Sequence, residues 1–271
     1  MICPDLWPAL EQRGPRIHAV SNLVTANDCA NLLLAVGAKP IMAQAPQEAA
    51  EITAGCDVTL LNLGTPDEDK FRTCTLAGRE ANRLGHPLIV DPVGVGASRY
   101  RLERVQALLR EIRPSLIHLN LGELQALLGL DSQAQGVDSP AAHGAQSLEQ
   151  AAALARRLGC AVLLSGEEDL VTDGDRAIVL TGGSRRLRRI TGAGCMLSAL
   201  CGALASLTDP MTAAVNAGWG WKACALRAEA QIGPQGGLGQ LHMALMDQAG
   251  LLALRPPEAG EPGVKARILE S

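Results

Sequence analysis

Aromatic side chains are nearly absent: Trp7, Trp219, Trp221, Tyr100 and Phe71 make up 2% of 271 residues. An aromatic cage or base-stacking platform needs interleaved rings, so neither organises this chain. The core must be built from Ala, Leu, Val and Ile. Positive charge is not in excess either. The net charge of −4 argues against a dedicated nucleic-acid binder. Long apolar runs are missing, and no stretch approaches the roughly 18 uncharged residues that span a bilayer. The start, MICPDLWPALEQRGPR, has no basic segment leading into an apolar one, so no secretory signal is expected. The eight cysteines include no CxxC pair, and no histidine stands at a zinc-ligand offset from one of them. The expectation is a cytoplasmic chain with reduced thiols and no nucleic-acid or membrane partner. For any one cysteine the first reading is a small buried hydrophobe.

Hydrophobic residues make up 47% and charged residues 19%, as in a folded globular protein. Short apolar runs at 17–20, 58–62, 88–90, 116–119, 162–164 and 178–180 read as strands covered on both faces. Helical stretches fall near 28–36, 46–54, 67–84, 102–112, 123–128 and 148–158. For the third, Thr65 is expected as N-cap, with Pro66 in the first turn, Glu68 closing a capping box and Gly85 ending the helix. Two Ala-rich helices follow at 195–206 and 211–230, then a last helix near 240–254 and a polar tail. The polar 133–146 stretch reads as a surface loop. This β–α alternation predicts one α/β domain over 1–271, with peripheral tails at 1–14 and 256–271. The Trp219-Gly220-Trp221 pair fits either the core or a subunit neighbour.

Parallel α/β sheets bind ligands at the carboxyl ends of their strands. Asp91 ends a strand and leads into Pro92-Val93-Gly94-Val95-Gly96, which suits a divalent cation, a polar substrate group or a turn cap. Asn120 and Glu123 read equally as a capping box or as a place where Glu123 holds magnesium through water. Asn22, Val24, Thr25, Asn27 and Asp28 form a polar strand end, fit for a substrate pocket or a helix cap. The strongest signal is Ile190-Thr191-Gly192-Ala193-Gly194-Cys195 ahead of an Ala-rich helix. Backbone N–H groups of Gly192, Ala193 and Gly194, with the helix dipole, would form an anion hole for a phosphoryl group in transit, the alternative being a Gly-rich turn that packs a helix closely on the sheet. It is not the P-loop pattern, because no Lys-Ser/Thr follows the glycines. At a helix start the Cys195 thiol is expected to be acidified. The run Arg185-Arg186-Leu187-Arg188-Arg189 is expected to be the solvated face of an edge strand, with a minority reading in which one Arg reaches a nucleotide phosphate.

Taken together, SNLVTANDCANLLLAVGAKPIMAQAPQE, LLNLGT, DPVGVGASRYR, NLGE, GVDS, GEEDLVTDG and ITGAGCMLSAL resemble the hydroxyethylthiazole kinases of the ribokinase-like superfamily. The motifs keep the family's order and cover roughly residues 15–235. The resemblance implies a ribokinase-like three-layer α/β/α fold with a mainly parallel sheet and no separate lid. It implies ATP-dependent, Mg²⁺-assisted phosphorylation of 4-methyl-5-(2-hydroxyethyl)thiazole, and a homotrimer with the thiazole site between subunits. By motif, Met42, Asn27 and Gly192 would bind the substrate. Cys195 would stand beside the hydroxyl where related sugar and pyridoxal kinases usually carry Asp. Asp91 and Glu123 would organise magnesium and its waters, and Ser165 would contact the nucleotide where many members have Thr. His118 stands where the family commonly has an Arg that contacts ATP phosphates. Histidine is mostly neutral at pH 7, so a weaker or pH-dependent nucleotide affinity is expected. The family's GPGSF-like stretch is here Gly233-Pro234-Gln235-Gly236-Gly237-Leu238, which leaves the alcohol less defined. The rival readings are a kinase for another heterocyclic alcohol such as a hydroxymethylpyrimidine, a nucleotide-dependent hydrate dehydratase, and a non-catalytic ligand-binding relative.

Overall fold

The computed structural model describes residues 2–130 and 144–269. The GVDS stretch and most of the expected 133–146 loop lie outside the described residues. The described strands form one sheet in the order β2-β1-β3-β4-β5-β6-β7-β8-β9. They are β1 (Arg16–Val20), β2 (Lys39–Ile41), β3 (Val58–Asn62), β4 (Leu88–Asp91), β5 (Leu116–Asn120), β6 (Ala161–Ser165), β7 (Asp169–Thr172), β8 (Ala177–Gly182) and β9 (Val264–Leu269). Pairings from β2 to β6 are parallel, and those from β6 to β9 are antiparallel.

Helices cover both faces, giving the expected three-layer α/β/α arrangement. One face carries α1 (Leu6–Arg13), α2 (Ala26–Ala35), α8 (Ala193–Ala205), α9 (Pro210–Ile232) and α10 (Leu238–Gly250). The other carries α4 (Glu68–Leu84), α5 (Arg99–Glu111), α6 (Leu121–Leu128) and α7 (Ala145–Leu158), with the short α3 (Ala49–Ala54) beside α4. Alternate strand residues divide between two cores. Leu60, Ile89, Leu116 and Leu163 pack toward α8, whereas Leu61, Val90, Ile117 and Leu164 pack toward α4 and its neighbours.

Several local expectations are corrected. Asp67, not Thr65, caps α4: its carboxylate accepts the Lys70 N–H at 2.7 Å. Thr65 takes a left-handed φ of 45° and its hydroxyl accepts the Leu23 N–H instead. The arginine run is a short 3₁₀ helix, Arg185–Arg189, not an edge strand. The two tails carry structure: α1 buries Trp7 and Leu10 at one end, and β9 pairs with β8 at the other. Trp219 and Trp221 are both buried in the core.

Gly220 shows how tightly α9 is packed. A Cβ placed there would lie 2.3 Å from Trp7 Cζ2. The Gly220→Ala change gains up to ~1 kcal/mol in helix propensity, but the clash costs more, roughly 1–3 kcal/mol from overpacking. The variant is expected to unfold at lower urea, and Trp7→Leu in the same chain should recover part of the loss. Unchanged urea midpoints in Gly220→Ala would contradict this packing.

Candidate active site

Strand parity builds the site. Asn62, Asp91, His118 and Ser165 each lie an even number of residues from a neighbour that faces α8, at or near the carboxyl ends of adjacent strands. Register sets Asn62 beside Asp91 and Asn120 beside Ser165. Ser198 of α8 points back at this row, and Asn22 extends it just beyond β1.

The row is one hydrogen-bonded chain whose directions follow from the backbone. Asn22 Oδ1 accepts the N–H groups of Val24 and Thr25, so its amide nitrogen is the donor. That nitrogen donates to Asn62 Oδ1 at 2.9 Å and to Cys195 Sγ at 3.4 Å. Asn62 Oδ1 also accepts the Gly64 N–H, so Asn62 Nδ2 donates to Asp91 Oδ2 at 2.7 Å. From the other side, Ser198 Oγ donates to the same Asp91 oxygen at 2.8 Å. A hydroxyl has one proton. His118 Nδ1 therefore carries its own proton and donates to Ser198 Oγ at 2.6 Å. The neutral ring then accepts the Ser165 hydroxyl at Nε2, at 2.8 Å. Two donating arms thus end on one carboxylate oxygen, Asp91 Oδ2.

Burial governs the protonation of this row. It pushes Asp91 up to about 7, helped by the charge on Glu123, while hydrogen bonds from Ser198, Asn62 and the Cys195 thiol pull it back. Burial pushes Cys195 up, and the Asp91 carboxylate adds to that. The expected acidification of Cys195 is therefore corrected: at 8% exposure, lost hydration and a nearby anion outweigh the helix start. Burial lowers His118 to about 4. His118 is thus a neutral, doubly bonded ring, and the expected pH-dependent affinity has no source in it near neutral pH.

Beside the row lies a cavity of about 550 Å³, lined among others by Ser165, Gly183, Gly192, Gly194, Trp221 and Lys222. Gly192 opens α8 with φ 83°, and a Cβ there would stand 2.5 Å from Thr25 Cγ2, so only glycine fits. The Ala193 N–H is turned to the Ile190 carbonyl, and the first bond of α8 runs from Met196 N to Gly192 O. The N–H groups of Gly194 and Cys195 come before that first bond, at the positive end of the helix. The N–H groups of Gly194 and Cys195 thus point out of the helix start unbonded by it, whereas that of Ala193 is taken by the Ile190 carbonyl. Arg185 and Arg188 line the same cavity and are both paired with Glu167. Lys222, buried in α9, is neutralised by Asp169 at 3.2 Å.

Asn27 is exposed on α2 and accepts from Asn31, and Met42 is half-buried just after β2. Buried His18 fixes that segment: Nε2 bonds the Ala43 carbonyl at 3.1 Å while Nδ1 meets Thr53 Oγ1 at 2.8 Å. The Gln44 carbonyl is held by Thr73.

Glu123 forms the capping box, and both of its oxygens are taken by backbone N–H groups, of Gly94 and Asn120. Among the described residues no group of three or more His, Cys, Asp or Glu could hold a metal. Asp91 and Glu123 nevertheless raise the local negative charge together, and Mg²⁺ usually keeps several waters and takes its remaining oxygens from phosphates. The pair fits a hydrated ion arriving with a nucleotide, not a preformed cage.

Sequence reading missed Asn62, Ser198, Asp169 and Lys222 as site residues. Of these, only Ser198 carries a visible signal, as the lone hydroxyl or charged side chain in AGCMLSALCGALA.

His118 carries a stability signature. Its folded value, about 4, lies below the ordinary histidine value of 6.5, so the unfolded chain binds the extra proton first as pH falls. Its contribution is whole above pH ~6.5 and is lost as pH drops through ~4. Urea midpoints measured from pH 7 to pH 4 should fall more steeply for the unaltered chain than for His118→Asn. Parallel curves would show that His118 is not buried as a neutral ring.

Residues 8–254 match the family model described as the hydroxyethylthiazole kinase family. The chain is 44% identical over 252 residues to a hydroxyethylthiazole kinase of Herpetosiphon aurantiacus, covering 92% of this chain and 90% of that protein. It is 42% identical over 233 residues to one of an Exiguobacterium species, covering 85% and 88%. The structure of a hydroxyethylthiazole kinase protein from Pyrococcus horikoshii superposes with TM-score 0.86 at 31% identity, covering 98% of each chain. A pyridoxal kinase from Staphylococcus aureus shares the fold alone, at TM-score 0.64 and 16% identity. With polar row, helix-start donors and adjoining cavity set on this fold, the chain belongs to the hydroxyethylthiazole kinase family.

Proposed function

We propose that the chain transfers the γ-phosphoryl group of ATP to the hydroxyl of 4-methyl-5-(2-hydroxyethyl)thiazole, as a step of thiamine salvage in the cytoplasm. The observation that carries this reading is the junction at Cys195. The thiol lies between the Asn22–Asn62–Asp91 arm on one side and the Gly192–Cys195 helix start with its cavity on the other. All eight cysteines are unpaired, in keeping with a reducing compartment. No described helix is long and apolar enough to cross a membrane.

The nucleotide would occupy the cavity with its phosphates toward Gly194 and Cys195, Ser165 touching it and His118 acting behind Ser165. The thiazole would lie by Met42, Asn27 and Gly192. Asp91 and Glu123 would hold hydrated Mg²⁺, which when bound supplies charge neutralisation to phosphate oxygens. The alcohol oxygen forms its bond to phosphorus as the bond to the β,γ-bridging oxygen breaks, and ADP leaves with that electron pair. The transition state is loose, so the alcohol proton departs late and a strong base is not needed. Cys195 receives that proton at sulfur as its own passes to Asp91, the carboxylate to which the thiol donates.

A homotrimer is supported by exposed apolar side chains next to Asn22 and on α2 and α10. Leu23 and Val24 are 77% and 63% exposed, and Leu34 and Met243 extend the patch across α2 and α10. Sedimentation at three chain masses is expected, and a monomer would leave the thiazole site on one chain alone.

Mass spectrometry of reactions offering the thiazole alcohol beside competing alcohols should show its phosphate ester as the main product. Cys195→Ala should lower kcat by roughly 10²–10⁴-fold with the fold intact, and wild-type turnover in that variant would remove Cys195 from proton transfer. Asp91→Asn should weaken the Mg²⁺ dependence; an unchanged titration would take Asp91 out of the metal site.

A further inference from the structure

The acceptor side holds a buried cation without a counter-ion. Lys70 lies in the first turn of α4 and is 6% exposed. Its ammonium donates to the Ser21 carbonyl at 2.6 Å. Among the described residues no carboxylate lies within ion-pairing distance of it. Asp67 spends an oxygen on the Lys70 backbone N–H instead. The other buried lysine, Lys222, has Asp169 beside it, so this chain does pair a buried lysine where charge balance alone is needed. Desolvating an ammonium without an anion is costly. An ammonium has three donors, and the Ser21 carbonyl takes one.

The surroundings point to one class of anion. Ser21 directly precedes Asn22, whose amide holds the Cys195 sulfur. The groups whose charge reaches the ammonium are Cys74 and Asp67 on α4, Cys195 on α8 and Arg101 on α5. Of these, Cys74 is fully buried with its thiol pushed up to about 12, so it supplies no standing negative charge. Lys70 is not part of the wall of the nucleotide-sized cavity. It sits instead at the Asn22 end of the polar row, on the Ser21 carbonyl and near enough to Cys195 for their charges to interact. An alcohol is neutral and gives a buried cation nothing. Its phosphate monoester is a dianion or monoanion, and an ammonium with free donors matches it.

We infer that Lys70 is an anion-binding residue for the phosphoryl group once it has reached the acceptor, so that the site takes a phosphate monoester on its acceptor side. This rests on the kinase reading for the identity of the ester, but not for the affinity for phosphate. Lys70 is then a cation kept without a partner until turnover creates one.

The test uses the full chain, Lys70→Met and Lys70→Arg, with calorimetric titration of inorganic phosphate, of the phosphate ester of the thiazole alcohol and of the alcohol itself. Lys70→Met should weaken phosphate and ester binding by roughly 10–100-fold, the scale of a lost charge-assisted hydrogen bond. Alcohol affinity should hold within about twofold, because the neutral ligand draws nothing from the charge. Lys70→Arg should keep most of the ester affinity. Unliganded Lys70→Met should also melt higher than the unaltered chain, since an uncompensated buried charge has been removed. Unchanged phosphate and ester affinity in Lys70→Met would overturn the inference. So would a lower melting temperature with equal losses for alcohol and ester, which would make Lys70 structural. Absence of turnover in the unaltered chain would sink the kinase reading separately, while the inorganic phosphate titration still reads Lys70.

Discussion

A carboxylate stripped of water at the end of β4 sets the terms for the rest of the site. Asp91 is fully enclosed, and such burial penalises its charged form heavily. The fold offsets this with fixed donors rather than with a cation: an amide from β3, a hydroxyl from α8 and a thiol at the start of that helix. Each donor is itself locked by a further partner, back to backbone N–H groups at one end and Ser165 at the other. A buried network of this kind tolerates no missing member, because the neighbour of any deleted group is left unsatisfied at full desolvation cost. The strand ends and the beginning of α8 are therefore held in one geometry before any ligand arrives. The same enclosure lifts the proton affinity of Asp91 into the neutral range.

The poverty in rings is what allows this geometry. α8 and α9 are buried on nearly all sides and are rich in Ala and Gly. Small side chains let α8 run close over the sheet, so that Ser198 touches both Asp91 and His118. Gly220 admits the Trp7 ring against α9, where a Cβ would lie 2.3 Å from Trp7 Cζ2. Bulkier helices would stand farther off the sheet and open the polar row to water.

Much of this could be read along the chain, and the exceptions have physical causes. The strands near 58–62, 88–91, 116–120 and 161–165 were legible because both faces are covered, which leaves unbroken apolar runs. β2 escaped because three residues including a proline carry no periodicity. β9 escaped because its residues are mostly exposed on both faces at the sheet edge. Arg185–Arg189 kept its solvated character but not its strand, since nothing in a run of charges distinguishes a 3₁₀ turn from an edge. Cys195 was legible by position, after two glycines at a helix start, whereas its protonation was not. That depends on how much water the fold removes and on Asp91, which lies far off in sequence. Lys70 was invisible for the same reason: on the sequence it is one more charge in a polar first turn, DEDK, and only burial makes it conspicuous.

The neutral ring of His118 changes where charge must come from. An arginine at that position would bring a fixed cation to the phosphates, but His118 spends both nitrogens inside the row and carries no charge near pH 7. On the donor side the cations are then Arg185 and Arg188, sharing one counter-ion in Glu167, and Lys222, already neutralised by Asp169. The two arginines are largely exposed, so their pairing with Glu167 is weak and easily exchanged for a polyphosphate. Among the described residues, buried Lys70 has no carboxylate within ion-pairing distance. Charge in the resting chain is thus loosely held where a nucleotide would enter and unbalanced where a phosphorylated product would form. An anion moving from the first place to the second moves from screened, shared cations toward a desolvated one. A neutral histidine at the centre leaves that gradient intact, whereas a fixed guanidinium there would place its own minimum midway.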